Sequence, residues 1–217
     1  GEQTSAWDVR HELREHFETL RDRILHAVDI PMDRPFILGV TSASLGAGVT
    51  TVSAGLAVTL SHNEERSVLL TDANLGNSSA HQLFNVEGRA GLVDVLTQGN
   101  DSSMTIQRNL SLLPAGRSDS LLPQLNLDRR FNDFLLKLKQ SEYGFVILDM
   151  PPVNETSLTL RLSRMMDGML LVVEAEKDQR DAVARARDLL LQADTRIIGT
   201  VFNKRRFYIP RWLHQEM

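Results

Sequence analysis

The sequence predicts an α/β fold in which a mostly parallel sheet is flanked by helices on both faces. Three observations carry that expectation. Short apolar runs such as Phe36-Ile37-Leu38-Gly39-Val40 and Phe145-Val146-Ile147-Leu148 are continuous rather than alternating, as in strands covered on both faces. Stretches with helical apolar spacing separate these runs, so neighbouring strands need crossover connections. The runs also end on turn-forming or acidic residues, among them Asp72 and Asp149, which marks strand ends.

Taken in order, residues 5–29 read as an amphipathic helix, with Leu13, Phe17, Leu20, Ile24 and Val28 at three- and four-residue spacing. Pro31 and Pro35 end it, because proline lacks the helical donor and forces the preceding residue toward extended geometry. A strand over 36–41 leads into a glycine-bearing loop over 42–49 and a helix over 50–60. A second strand over 67–71 runs into Asp72. Short helices follow at 78–84 and 92–96. Leu110-Ser111-Leu112-Leu113 is a strand closed by Pro114 and Gly116. Asp128 is placed to cap a helix reaching about residue 140. The strand at 145–149 precedes a helix at 156–166, a strand at 169–173, a helix at 178–193 and a strand at 197–202. No repeat or linker interrupts the pattern, so residues 1–217 are expected to form one domain with a tail at 205–217.

Composition narrows the function classes. A formal charge of −4 over 217 residues argues against a nucleic-acid surface, which needs a basic stripe. The chain has no cysteine, which excludes disulfides and thiolate metal sites. No apolar run approaches the roughly 20 residues that span a bilayer. A direct membrane span is therefore not expected. The six histidines are scattered and suggest no metal cluster.

The chemistry gathers at three strand ends. Ser42 to Thr51, containing Gly46, Ala47 and Gly48, lies between a predicted strand and helix, where backbone N–H groups can converge on a phosphate. Asp72 and Asp149 end two further strands, and ligands collect at the carboxyl ends of parallel strands. A hydroxyl at Thr50 with two carboxylates is the donor set of a magnesium–nucleotide site.

These segments resemble the Walker A, Walker A′ and Walker B motifs of the bacterial tyrosine autokinases, within the wider MinD/ParA-like group of P-loop ATPases. Ala90 to Leu96, Leu110 to Gly116, Asp167 to Val173 and Gly199 to Asn203 extend the resemblance over nearly the whole chain. It implies a P-loop fold of MinD/ParA-like architecture. It further implies a nucleotide held by Gly46, Ala47, Gly48, position 49, Thr50 and Thr51, with Asn203 near the adenine. Magnesium would fall to Thr50, Asp72 and Asp149. The family's members are cytoplasmic domains of polysaccharide co-polymerases, so a membrane chain-length protein is the implied partner. The expected location is cytoplasmic, with recruitment to the inner face of the membrane.

Several positions depart from the pattern. Val49 replaces the lysine that would contact the β- and γ-phosphates, and Ser44 stands where MinD/ParA-like members carry a second lysine. Losing one charge-assisted hydrogen bond costs about 1.5–3 kcal/mol, roughly a ten- to two-hundred-fold weaker complex. Asn74 replaces an aspartate and cannot act as a base. Tyr208 alone stands in place of a terminal tyrosine cluster. Glu15, Glu18 and Arg21 occupy the family's ring-forming Glu-x-x-Arg-x-x-Arg positions. Glu18 thus reverses a charge in any homo-oligomer built through the first helix.

The expected function is a degenerate pseudo-kinase that regulates or scaffolds exopolysaccharide biosynthesis. ATP or ADP with magnesium would bind weakly or not at all, and Asp72, Asn74 and Asp149 would be vestiges of a catalytic site. Two alternatives stay open: a slow ATPase or tyrosine autokinase using another cation, and a MinD/ParA-like positioning protein. The lysines that could substitute, Lys137, Lys139, Lys177 and Lys204, all lie outside the loop.

Overall fold

The computed structural model describes residues 11–62, 66–86, 90–116, 127–155 and 157–204. Along the chain, α1 spans His11–Ala27, β1 Phe36–Ser42, α2 Val49–Ser61, β2 Val68–Asp72, α3 Ala80–Leu83 and α4 Leu92–Gln98. Then come β3 (Met104–Gln107), β4 (Leu110–Leu113), α5 (Leu127–Lys139), β5 (Phe145–Asp149), α6 (Ser157–Ser163), β6 (Gly168–Glu174), α7 (Arg180–Gln192) and β7 (Ile197–Asn203). The described part of the first helix starts at His11, and the predicted tail at 205–217 lies outside the described residues.

The strands form one sheet in the order β3-β4-β2-β5-β1-β6-β7. All pairings are parallel except β3 with β4. The order reverses around β1: the chain leaves β1, crosses to β2 on one side and later reaches β6 on the other. Such a switch opens a crevice at the carboxyl ends of the central strands. Every residue of β1, β2 and β5 is buried, as continuous apolar runs require.

Alternate strand residues feed two cores. Phe36, Leu38, Leu70, Ile147 and Val172 face a layer containing Phe17 and Ile24 of α1, Val52 and Leu56 of α2, and Ala80 of α3. Ile37, Leu69, Val146 and Leu171 face Leu96 of α4, Phe131 and Leu135 of α5, Leu162 of α6 and Leu190 of α7. Leu13 departs from the predicted stripe: it is 40% exposed. In mid-helix α2, Gly55 is required by packing. A Cβ there would come within 2.3 Å of the Phe17 ring, so the missing side chain lets α1 lie against α2.

Strand β3 was not anticipated. It pairs antiparallel with β4 at the sheet edge, joined through Arg108-Asn109, and Asn109 adopts φ 61°, a turn conformation that asparagine tolerates. Tyr143 is partly buried against the second core. Among the described residues, no helix is long and apolar enough to cross a membrane.

Candidate functional site

The loop between β1 and α2 is shaped by two glycines in the left-handed region, Gly46 at φ 81° and Gly48 at φ 90°. Gly48 is the residue preceding α2, and its carbonyl accepts the first helical bond from Val52 N at 3.0 Å. It also has no room for a side chain: a Cβ would stand 2.2 Å from Asn203 Nδ2. The open first turn of α2 therefore presents its free N–H groups and the positive end of its dipole at the strand ends.

Gly46, Ala47, Gly48, Val49, Thr50 and Thr51 line one cavity of about 280 Å³. Asn74, Ser79 and Lys204 are also part of its wall. A larger groove of about 710 Å³ runs between β7 and α7, but it has no glycine loop. The smaller cavity is therefore the candidate site.

Asp72 and Asp149 are register partners on adjacent strands and are 0% and 1% exposed. Their environments differ. Asp72 accepts backbone N–H bonds from Asn74 at 3.2 Å and from Ser79 and Ala80 at 3.1 Å each. Burial raises its pKa, while these donors favour the charged form. Neither oxygen of Asp149 has a hydrogen-bond partner of normal geometry among the described residues. Its pKa is pushed up to about 8, first by burial and then by the Asp72 charge, with only the Thr50 hydroxyl opposing. A buried carboxylate left unpaired in this way is a place for a cation. With Asp72 and the Thr50 hydroxyl beside it, the donors are all oxygen, which fits a hard divalent ion such as Mg²⁺. Among the described residues, no group of three or more histidine, cysteine or acidic side chains is placed to hold a metal ion.

Thr50 accepts a bond from Ser79 Oγ at 2.9 Å, which ties α2 to the turn after β2; sequence reasoning did not single out Ser79. The Asn203 side chain donates to the Ala47 carbonyl at 2.9 Å, which places it on the loop. Val49 is 9% exposed and belongs to the core beneath α1 and α2, whereas Leu45 is 48% exposed.

A lysine from outside the loop sequence stands at its rim. Lys204 Nζ donates to the Gly46 carbonyl and pairs with Glu174 at 3.4 Å. Lys177 pairs with the other oxygen of Glu174 at 3.1 Å. Both lysines hold the Glu174 carboxyl below its ordinary range, Lys177 most strongly. More than 150 residues separate Lys204 from Gly46, so only the pairing of β7 with β6, and of β6 with β1, brings them together. The one hint in the sequence was that Lys204 follows Asn203.

A strand-loop-helix phosphate cradle with two carboxylates at neighbouring strand ends defines a P-loop NTPase domain. A family model described as ParA, NUBPL iron-transfer P-loop NTPase, matches residues 35–216, and the chain belongs to this ParA family. Among curated proteins it is similar to tyrosine-protein kinase YwqD of Bacillus subtilis, 28% identical over 88% of this chain and 81% of that protein. It is also similar to the putative tyrosine-protein kinase CapB of Staphylococcus aureus, 26% identical over 76% of this chain and 73% of that one. Among solved structures, the chimerical protein CapA2B2 superposes with a TM-score of 0.80 at 25% identity, covering 95% of this chain and 92% of that one. MinD of Pyrococcus horikoshii in complex with Mg-ADP gives 0.67 at 24% identity, over 84% and 76%, a likeness of fold.

Proposed function

We propose that the chain is a non-catalytic counterpart of the bacterial tyrosine autokinases, regulating or scaffolding exopolysaccharide assembly through a membrane co-polymerase partner. The observation that carries this reading is Val49. It stands directly after Gly48 at the start of α2, and its side chain is part of the core. No charge is therefore delivered from that position to a terminal phosphate. Charge stabilisation in the transition state is usually the largest catalytic contribution, so its loss affects turnover more than binding. Asn74, on the cavity wall, removes a second ionisable group.

In this reading Thr50, Asp72 and Asp149 remain able to hold Mg²⁺, which would neutralise phosphate charge when bound. The loop N–H groups orient the phosphates. Asn203 fixes the loop from the β7 side. What is kept is a shape and a surface. Two relatives support coupling to a larger assembly: this chain spans 22% of EpsB of Ralstonia solanacearum and 23% of etk of Escherichia coli. The domain they share with this chain is thus one part of a longer protein. Self-association through the exposed side of α1, where Glu15 is accessible, belongs to the same proposal, as does recruitment to the inner membrane face.

The test is incubation of purified protein with ATP and Mg²⁺, alongside Asp149→Asn. The expected result is no phosphotyrosine and no hydrolysis above the variant, together with retained binding to the cytoplasmic segment of a co-polymerase. Phosphotyrosine that forms in the wild type and vanishes in Asp149→Asn would replace this reading with that of a slow kinase.

A further inference from the structure

We infer that Lys204 supplies the positive charge that the loop itself lacks, and that it holds the phosphates of a nucleoside diphosphate in the cradle. The inference rests on reading the loop as a non-catalytic phosphate site, and it adds the residue that would make such a site bind. Three observations converge. The Lys204 ammonium is hydrogen-bonded to the Gly46 carbonyl, and its Cε would lie 4.0 Å from a Cβ at Gly48. The stem therefore crosses the loop at its two left-handed glycines. Lys204 also lines the same cavity as Val49, Thr50 and Asn74. Finally, the Asp149 carboxyl, 1% exposed and with no hydrogen-bond partner of normal geometry, lies against Thr50 of the cavity wall, so an acidic group able to hold a cation stands directly behind that wall.

The position of Lys204 suits binding better than catalysis. A lysine inside the loop is locked along the phosphate chain, whereas Lys204 reaches over the rim from the end of β7. About half of its side chain is exposed, and a lysine stem has the rotamer freedom to re-aim its head. Glu174 competes for that head. With Lys177 and Lys204 both paired to it, Glu174 shares the ammonium with the Gly46 carbonyl at the cavity rim until a stronger anion arrives. A diphosphate carries more charge and more acceptor oxygens than one carboxylate or one carbonyl, so the exchange favours the ligand. The chain thus contains both the substitute cation and its resting partner.

Titration calorimetry with ADP–Mg²⁺ and with pyrophosphate–Mg²⁺ tests this on wild type, Lys204→Met, Glu174→Gln, Val49→Lys and the Val49→Lys/Lys204→Met double variant. Methionine keeps the apolar stem and removes the charge. The expected result is an affinity about ten- to a hundred-fold weaker for Lys204→Met, tighter binding for Glu174→Gln, and recovery in the double variant. A merely structural tie to Gly46 would instead lower the melting temperature of Lys204→Met and leave its affinity unchanged, which would overturn the inference. Weaker binding in Glu174→Gln would also overturn it. Absence of binding to wild type where Val49→Lys binds would overturn it as well, while leaving the non-catalytic reading standing. Kinase activity of the wild type would refute the non-catalytic reading, with the role of Lys204 still decided by the affinities.

Discussion

Two aspartates at opposite ends of the sheet show how the same side chain can be spent on structure or kept in reserve. At the amino end, Asp167 precedes β6 and receives both arms of the Arg34 guanidinium, at 2.7 and 2.8 Å, together with Ile37 N–H at 2.8 Å. Burial alone would raise its pKa, but these three donors outweigh it and hold the carboxyl below the ordinary range. At the carboxyl end, Asp149 is more deeply buried, has no such partner and is pushed up to about 8. The first carboxylate joins β1 to β6. The second is costly until a cation reaches it.

The largest expected effect breaks the reserve. Asp149→Asn removes a buried charge and should stabilise the metal-free protein at pH 8 by on the order of 3 kcal/mol, measured by urea denaturation. The pH dependence has a definite sign. The unfolded chain loses this proton near the ordinary carboxylate value and the folded chain near 8. Over that interval the native state holds more protons, so wild-type stability falls as pH rises and levels off above about 8. Asp149→Asn should flatten this slope; an unchanged slope would assign it elsewhere. Asp167 acts in the opposite direction: its contribution is present above the ordinary value and lost as pH falls through its lowered folded pKa.

A smaller effect breaks the amino-end pair. Arg34→Met leaves a half-buried carboxylate with a single backbone donor and should destabilise by about 2 kcal/mol at pH 7, without altering any response to ligand. The smallest effect sharpens the comparison directly. Millimolar Mg²⁺ should raise the wild-type melting temperature by about a degree or two at pH 8, and should not do so in Asp149→Asn. An equal rise in both would place the cation away from β5.

Much of this was legible because strand ends are local. The continuous run Phe145–Leu148 ending in Asp149, and Val68–Thr71 ending in Asp72, could be read without a partner in view. Their burial on both faces leaves few other conformations for such residues. The edge strand β3 was also legible in principle, since Met104 and Ile106 alternate with polar residues before Arg108-Asn109. Its half-exposed pattern resembles that of an ordinary loop, and hairpin partners are recognised only as a pair. Lys204 could not be found in this way. Nothing near it in the chain is a phosphate loop, and its value depends on two intervening strand pairings.

By itself, then, the order of residues determined where strands stop, which carboxylates stand at those stops, and that position 49 has no charge, because these depend on side-chain type and near neighbours. The tertiary structure decided which carboxylate goes unpaired and which distant lysine leans over the loop. Electrostatic interactions act through space, and the folded sheet sets the distances that give each charge its partner.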